Sequence, residues 1–392
     1  MERVYLDHAS NTPLLPEVRE AMAPYLDGEF ANPSSLHGLG RRSAKVLEEA
    51  REKVASLIGA KSEEVIFTSC GTEANNFALK GFTAANEKKG RHIIVSSIEH
   101  FSVLHAARRL ERQGYRVTRV PVDLTGWIDP QEVRGAIASD TILISIIHAN
   151  NEVGTIEPIR EIARIAKEHG ILFHADAVSS CGTIPTNVAE LGVDALTLAA
   201  NSFYGPVGVA ALYLRRGTKI FPFLDGGGQE EGRRSGTENL PAIVGMGKAA
   251  ELAHRQMEAR MEYLSRLRDR LIAGLLAIEG AHLNGHPTER LPGHVSVSVS
   301  DVESEPLLLS LDMEGIFVGN GSACNSKAMK SSHVLQAMGV PEPLAQGAVV
   351  LTLGIGNREE EIAVVLGIFP KVVERLRKLN RTYASQAMRS VK

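Results

Sequence analysis

What the sequence withholds bounds it first. Among 392 residues there are only three cysteines, Cys70, Cys181 and Cys324. That is too few for a disulfide framework and fits a reducing, cytoplasmic setting. None forms a Cys-x-x-Cys pair, so a self-contained zinc site is not expected. An excess of one charge is also missing. The formal net charge is -3, which argues against a general nucleic-acid binder and leaves direct nucleic-acid contact unexpected. No apolar run approaches the roughly 20 residues that span a bilayer. The opening residues Met1–Asp7 lack an apolar core and a small-residue cleavage site, so no secretion signal is expected. Internal repeats and low-complexity segments are absent as well.

What is present is ordinary for a soluble globular protein, with 44% hydrophobic and 23% charged residues. The length exceeds what one core usually serves, so two domains are expected. Val4–Pro13 reads as extended. Helices are predicted over Leu15–Leu26 and from Arg41 to Ile58. Strands are then predicted at Val65–Thr68, His92–Ser96, Arg116–Val120, Thr141–His148, Ile171–Asp176, Ala195–Ala199 and Val209–Tyr213. Helices between them are predicted at Glu73–Glu87, Val103–Gln113, Pro130–Ala138 and Pro158–Glu168. This alternation implies an α/β fold with a mostly parallel sheet covered on both faces. A long helix, Leu240–Ile278, leads to a second region of different texture. There His294–Ser300 alternates like a half-buried strand, Glu305–Met313 reads as a helix, Gly347–Leu353 as a strand and Arg358–Leu379 as an amphipathic helix. The expected division is a large domain over 15–255 and a small α+β domain formed by 1–14 and 256–392.

Several segments carry chemistry. In Phe67–Asn76 a strand passes through small residues into a helix, with Thr72 placed to cap it. The unpaired amides of such a start suit an anion, or serve simply as a turn. His100 and Asn151 sit at strand ends, where open α/β sheets bind ligands. An imidazole there can stack on a flat ring or pack as an ordinary surface histidine. Asp176 ends an apolar strand and needs either a positive partner or a helix to cap. Gly226–Thr237 is a Gly-rich, Arg-bearing loop able to lie over a site or reach across a subunit interface. Cys324 stands among small and polar residues near Lys327 and Lys330, the setting of a thiolate-prone cysteine. Cys70 and Cys181 are expected to be inert packing.

In this order the segments resemble the cysteine desulfurases of the NifS/IscS type, within the class V aminotransferase fold. The resemblance runs from Tyr5-Leu6-Asp7 through Asn32–His37 to Leu353-Gly354. It implies a fold type I pyridoxal-phosphate-transferase-like homodimer. A pyridoxal phosphate would abstract sulfur from cysteine, and a cysteine would carry it as a persulfide toward iron–sulfur assembly. Carried over by position, Gly71 and Thr72 face the phosphate, His100 stacks on the ring and Asn151 bonds its hydroxyl. Asp176 meets the ring nitrogen, Thr237 reaches the phosphate held by the partner subunit, and Cys324 is the persulfide carrier.

The departures are equally specific. The family's Ser-x-His-Lys before Phe/Tyr-Gly-Pro is Ala199-Ala200-Asn201-Ser202, so the Schiff-base lysine is replaced by Ser202. The expected glutamine is Ser179, the lysine after Gly-Pro is Val207, and the substrate arginine falls at Val350. A serine at neutral pH is neither a covalent anchor nor a proton carrier of the lysine's kind. Loss of the arginine removes a bidentate hold on a carboxylate. The resulting expectation is a desulfurase-like protein with a vestigial pocket. Cys324 would act as persulfide carrier or as a [2Fe-2S] ligand shared with a U-type scaffold partner, since one thiolate can complete a partner's set but not hold a cluster alone. The alternative is a working enzyme converting L-cysteine to L-alanine and an enzyme persulfide.

Overall fold

The computed structural model describes residues 3–320 and 331–390. Cys324, Lys327 and Lys330 lie outside the described residues.

A seven-stranded sheet forms the centre of the larger part of the chain. Its spatial order is Val65–Thr68, Ala210–Leu214, Ala195–Ala199, Leu172–Asp176, Thr141–Ile147, His92–Ser96 and Arg116–Val120. Only Ala210–Leu214 runs against the others. Five of these strands are buried at every position. Near-continuous apolar runs are what a sheet covered on both faces requires. The covering helices start at Gly71, Phe101, Pro130 and Ile159, within two residues of the expected positions.

The helix Leu240–Leu276 is 37 residues long and serves both parts of the molecule. Its first half packs on the helix Gly38–Ile58, and Gly247 permits the approach. A Cβ at Gly247 would meet Ala50 Cα at 2.8 Å. In its second half Leu264, Leu267, Leu271 and Leu275 join a separate apolar cluster with Val295, Val297, Val299, Leu351 and Phe369. Val4 and Leu6 belong to that cluster too, because Val4–Leu6 pairs in parallel with Ile316–Val318.

The strand His294–Val299 corrects one expectation. Its alternation suggested a half-buried strand, yet all six residues are buried. Val295, Val297 and Val299 face the apolar cluster. On the other face Asn284 Nδ2 donates to Ser296 Oγ at 3.3 Å and to Ser298 Oγ at 3.0 Å. Small hydroxyls satisfied by one amide can be buried at little cost. No described helix is long and apolar enough to cross a membrane.

Candidate functional site

The carboxyl ends of the parallel strands carry the candidate residues. Asp176, the last residue of its strand, is buried and accepts hydrogen bonds from Asn75 Nδ2 at 2.6 Å and from the Val178 amide at 3.0 Å. Burial holds its carboxyl above the ordinary range, and the nearby His100 works against that rise. Asn75 also donates to Ser102 Oγ at 2.8 Å, and Ser102 Oγ lies 2.7 Å from His100 Nδ1. Asp176 and His100 are thus joined through Asn75 and Ser102. Asn75 was not among the expected residues, although it lies one turn into the helix whose start was singled out.

His100 caps the helix Phe101–Arg112, its ring accepting from the Ser102 amide at 3.1 Å. Thr72 does not cap the helix Gly71–Asn86. Cys70 occupies the cap position and makes no side-chain cap bond. Thr72 is exposed in the first turn. Gly71 is where the backbone must come close: a Cβ there would meet Val178 Cγ2 at 2.8 Å. Asp176, Val178 and Gly71 therefore form one tightly packed corner.

The Gly-rich loop is pinned at two points. Arg234 Nε and Nη2 meet Glu73 Oε1 and Oε2 at 2.7 and 3.1 Å. Arg51 binds Glu230 with Nη1 at 2.7 Å and Nη2 at 2.9 Å. Paired guanidinium–carboxylate contacts of this kind fix geometry as well as charge. Thr237 is exposed on the same loop.

Beyond Asp176, the strand Ala195–Ala199 ends in the short turn Ala200–Ser202. Ser202 Oγ donates to the Ala199 carbonyl at 2.7 Å. Tyr204 then takes a left-handed backbone with φ 70°, uncommon for a bulky residue. Neighbours hold it there. The Tyr204 amide donates to Thr12 Oγ1 at 2.8 Å, and its hydroxyl accepts from the Ile355 amide at 2.8 Å.

This turn forms one wall of a cleft with about 800 Å³ of free space, its open mouth included. Asn151, Val178, Ser179, Ser202, Tyr204 and Arg260 are among the lining residues. Of the expected site residues the cleft brings together Asn151 and Ser202. Asp176 and His100 form their own network beside it, and neither they nor Thr237 is among the residues lining it. No lysine lines it among the described residues. Val350 is buried in the strand Ala348–Thr352 and Val207 is exposed. Neither belongs to the lining.

Three buried acids crowd the same sheet end. Glu99 is pushed up to about 8, chiefly by burial, although Ser96 Oγ and the Ile147 amide donate to it at 2.6 and 2.8 Å. Glu152 is pushed up to about 7 by burial while accepting from Ser332 Oγ. Burial also raises Glu157 well above the usual range. Of the described cysteines, Cys181 is buried, with its thiol pushed up to about 12. Cys70 is exposed, which corrects the expectation that both are packing residues. The helix start leaves Cys70 at its edge, outside the core.

Comparison with known proteins fits this arrangement. The family model for aminotransferase class-V matches residues 4–365. The cysteine desulfurase IscS of Dictyoglomus turgidum is 51% identical over 378 residues, covering 96% of each chain. That of Methanosarcina thermophila is 51% identical over 377 residues, covering 96% of this chain and 93% of the relative. Among solved structures, a NifS-like protein superposes with a TM-score of 0.90 at 38% identity, covering 95% of this chain and all of its own. The NifS-like protein of Rickettsia africae gives 0.86 at 30% identity, again covering 95% of this chain and all of that one. The chain belongs to the class-V aminotransferase family and is a homologue of the IscS- and NifS-type cysteine desulfurases.

Proposed function

We propose that this protein serves iron–sulfur cluster assembly through Cys324, without the pyridoxal-dependent desulfurase reaction. Cys324 takes a sulfane sulfur from a persulfide donor, its thiolate attacking the outer sulfur as the donor's thiolate leaves, or supplies a thiolate to a [2Fe-2S] cluster shared with a U-type scaffold protein. The working form is a cytoplasmic homodimer. In it the large domain, 15–255, keeps a vestigial cofactor pocket of Gly71, Thr72, His100, Asn151, Asp176 and Thr237. The small domain, 1–14 and 256–392, carries the cysteine.

One observation carries this reading. At the lysine position the chain has Ser202, whose hydroxyl is turned back onto the Ala199 carbonyl, and no described lysine lines the cleft. The side chains present fit the ring face of a pyridoxal, since Asp176 is a buried carboxylate at the right strand end. They do not fit its covalent attachment, because a hydroxyl forms no Schiff base. No step of the proposal runs through the cofactor. Val350 in place of the substrate arginine points the same way, since a buried valine offers no charge-assisted bond to a carboxylate.

The second reading, a pyridoxal-dependent desulfurase, is favoured by the intact network from Asp176 through Asn75 and Ser102 to His100. Anaerobic copurification with a scaffold protein separates the two. The first reading expects a shared cluster that Cys324→Ala abolishes. Unchanged cluster content and partner binding in that variant would remove the ligand role.

A further inference from the structure

Beyond Cys324 in the sequence, Ser331 and Ser332 lead into the short helix His333–Ala337. Its Val334 and Leu335, with Met338 after it, pack with Ile98, Ile147 and Val153 at the carboxyl end of the central sheet. Two polar residues fix this contact. Ser332 caps the helix, its Oγ accepting from the Val334 and Leu335 amides at 3.1 and 3.2 Å, and donates its one hydrogen to Glu152 Oε2. Glu152 is buried in a turn held by Asn150, whose Oδ1 accepts from the Glu152 and Val153 amides at 2.8 and 3.0 Å. The His333 ring centre lies 4.6 Å from that of Phe101, and its Nε2 is 3.1 Å from the Glu99 carbonyl oxygen.

Hydrogen-bond accounting then assigns the remaining atoms. A carbonyl only accepts, so His333 Nε2 carries a hydrogen and Nδ1 is the nitrogen left to gain or lose one. Nδ1 faces Glu152 Oε1 at 3.8 Å. Because Oε2 already accepts from Ser332, Oε1 is the oxygen free to take a proton, so the two titratable atoms face each other. With no proton between them, a buried carboxylate confronts a nitrogen lone pair. With two, an imidazolium stands beside a neutral acid with no counter-charge. A single proton leaves either two neutral groups or an ion pair, and both suit a buried position better. Such a titration belongs to the pair.

The surrounding ionisable groups leave this pairing in place. His100 and His105 oppose a charge on His333, which favours the proton on Glu152. Glu99 turns its carboxyl toward Ser96 and the Ile147 amide. His294, bonded to the Glu152 backbone, is held down to about 4 and is neutral. Glu342 is engaged at the exposed Ser331 Oγ, 2.8 Å away. Burial pushes Glu152 up to about 7 and moves His333 down, in keeping with one shared proton near neutral pH.

We propose that Glu152 and His333 are positioning residues that hold one proton between them and thereby anchor the chain following Cys324 against the sheet. Loss of that proton leaves a buried, uncompensated carboxylate at Ser332 and loosens the anchor. The proposal rests on the reading above in one respect, that Cys324 is the working residue of the anchored chain.

Hydrogen–deuterium exchange of the full-length protein between about pH 6 and 8.5, corrected for intrinsic exchange at each pH, tests it. Protection over 332–340 should fall at least about tenfold with rising pH, the scale of a lost hydrogen bond to a charged group, and by more than that of the helix Gly38–Ile58. Glu152→Gln keeps an acceptor for Ser332 and a donor toward Nδ1, so its protection should not change with pH. His333→Gln removes the ring that shares the proton, and the fall should move to lower pH. Level protection in the wild type, the same fall in Glu152→Gln, or an unmoved fall in His333→Gln would overturn the proposal. Circular dichroism reports the fold of each variant, and the wild-type profile decides alone should both fail to fold. Alkylation of Cys324 in the same samples, corrected for thiol ionisation, should speed up as protection falls, and a rate that ignores the fall would overturn the positioning role. Cluster content with a scaffold protein is read separately, so failure of the functional reading and failure of the anchor are distinguishable.

Discussion

Ser202 Oγ lies 2.7 Å from the carbonyl oxygen of Ala199 and donates to it. The side chain that ends the turn after the strand Ala195–Ala199 is thus bound to its own backbone on the wall of the cleft. The turn around it is intact, with Tyr204 still in its left-handed conformation. Asn151, Val178 and Ser179 line the same cleft as Ser202. Ser202→Lys is therefore expected to acquire a borohydride-reducible absorption band when mixed with pyridoxal phosphate. It should still not turn over cysteine, since Val350 and Asn201 remain. If Ser202→Lys gained no band, the ring face of the pocket would be lost along with the lysine.

The 2.6 Å bond from Asn75 to Asp176 links residues 101 positions apart. Asn75→Ala leaves a buried carboxylate short of a donor, with an expected loss of about 1–3 kcal/mol in urea unfolding. In Asn75→Ala/Asp176→Ala the partner is gone as well, so the second substitution should cost less than it does alone. Additive losses would mean that the bond contributes nothing to stability.

Stability should fall as pH rises from about 6.5 to about 8.5. Glu152 and Glu99 carry folded-state values of about 7 and about 8 against an ordinary 4.5. The folded protein therefore binds more protons than the unfolded chain across that window, and raising the pH favours unfolding. His8, His148 and His294 are depressed to about 4. They act in the opposite sense, but only below their ordinary 6.5. Thermal unfolding across this range should show a midpoint falling by a few degrees, and Glu152→Gln should flatten the slope. A midpoint that rises over the window would contradict the burial-driven shifts.

Alkylation distinguishes the two described cysteines. Cys70 is exposed at a helix start while Cys181 is buried with a thiol near 12. Iodoacetamide at pH 8 should label Cys70 in the folded protein and reach Cys181 only after unfolding, as read by peptide mass. Labelling of Cys181 at the native rate of Cys70 would show that its pocket opens readily.

Strand positions were legible because a buried parallel strand is a continuous apolar run. Val65–Thr68, His92–Ser96 and Ala195–Ala199 agree to the residue, and so does Arg116–Val120, a partly exposed edge strand whose Val-Thr-Arg-Val pattern is extended without being a buried run. Short pieces such as Ala281–Leu283 and Ile316–Val318 were not. Three residues hold no periodicity, and their pairing partners supply the reason they are extended. Positions at strand ends were legible, as for Asp176. Asn75 and Arg260 were missed because each sits in a helix whose local pattern says nothing of what it meets across the sheet or cleft. Thr72 was misread as a cap since the helix begins one residue earlier, at Gly71. No sequence pattern announces that a histidine such as His294, at 3% exposure, is left with an unpartnered nitrogen.

The central claim is that the cleft holds no covalently bound pyridoxal phosphate. Borohydride reduction of the protein as purified, followed by peptide mass spectrometry, tests it most directly. The account predicts no pyridoxyl adduct on any lysine and no absorption band lost on reduction. A pyridoxyl-lysine peptide at stoichiometric yield would contradict it.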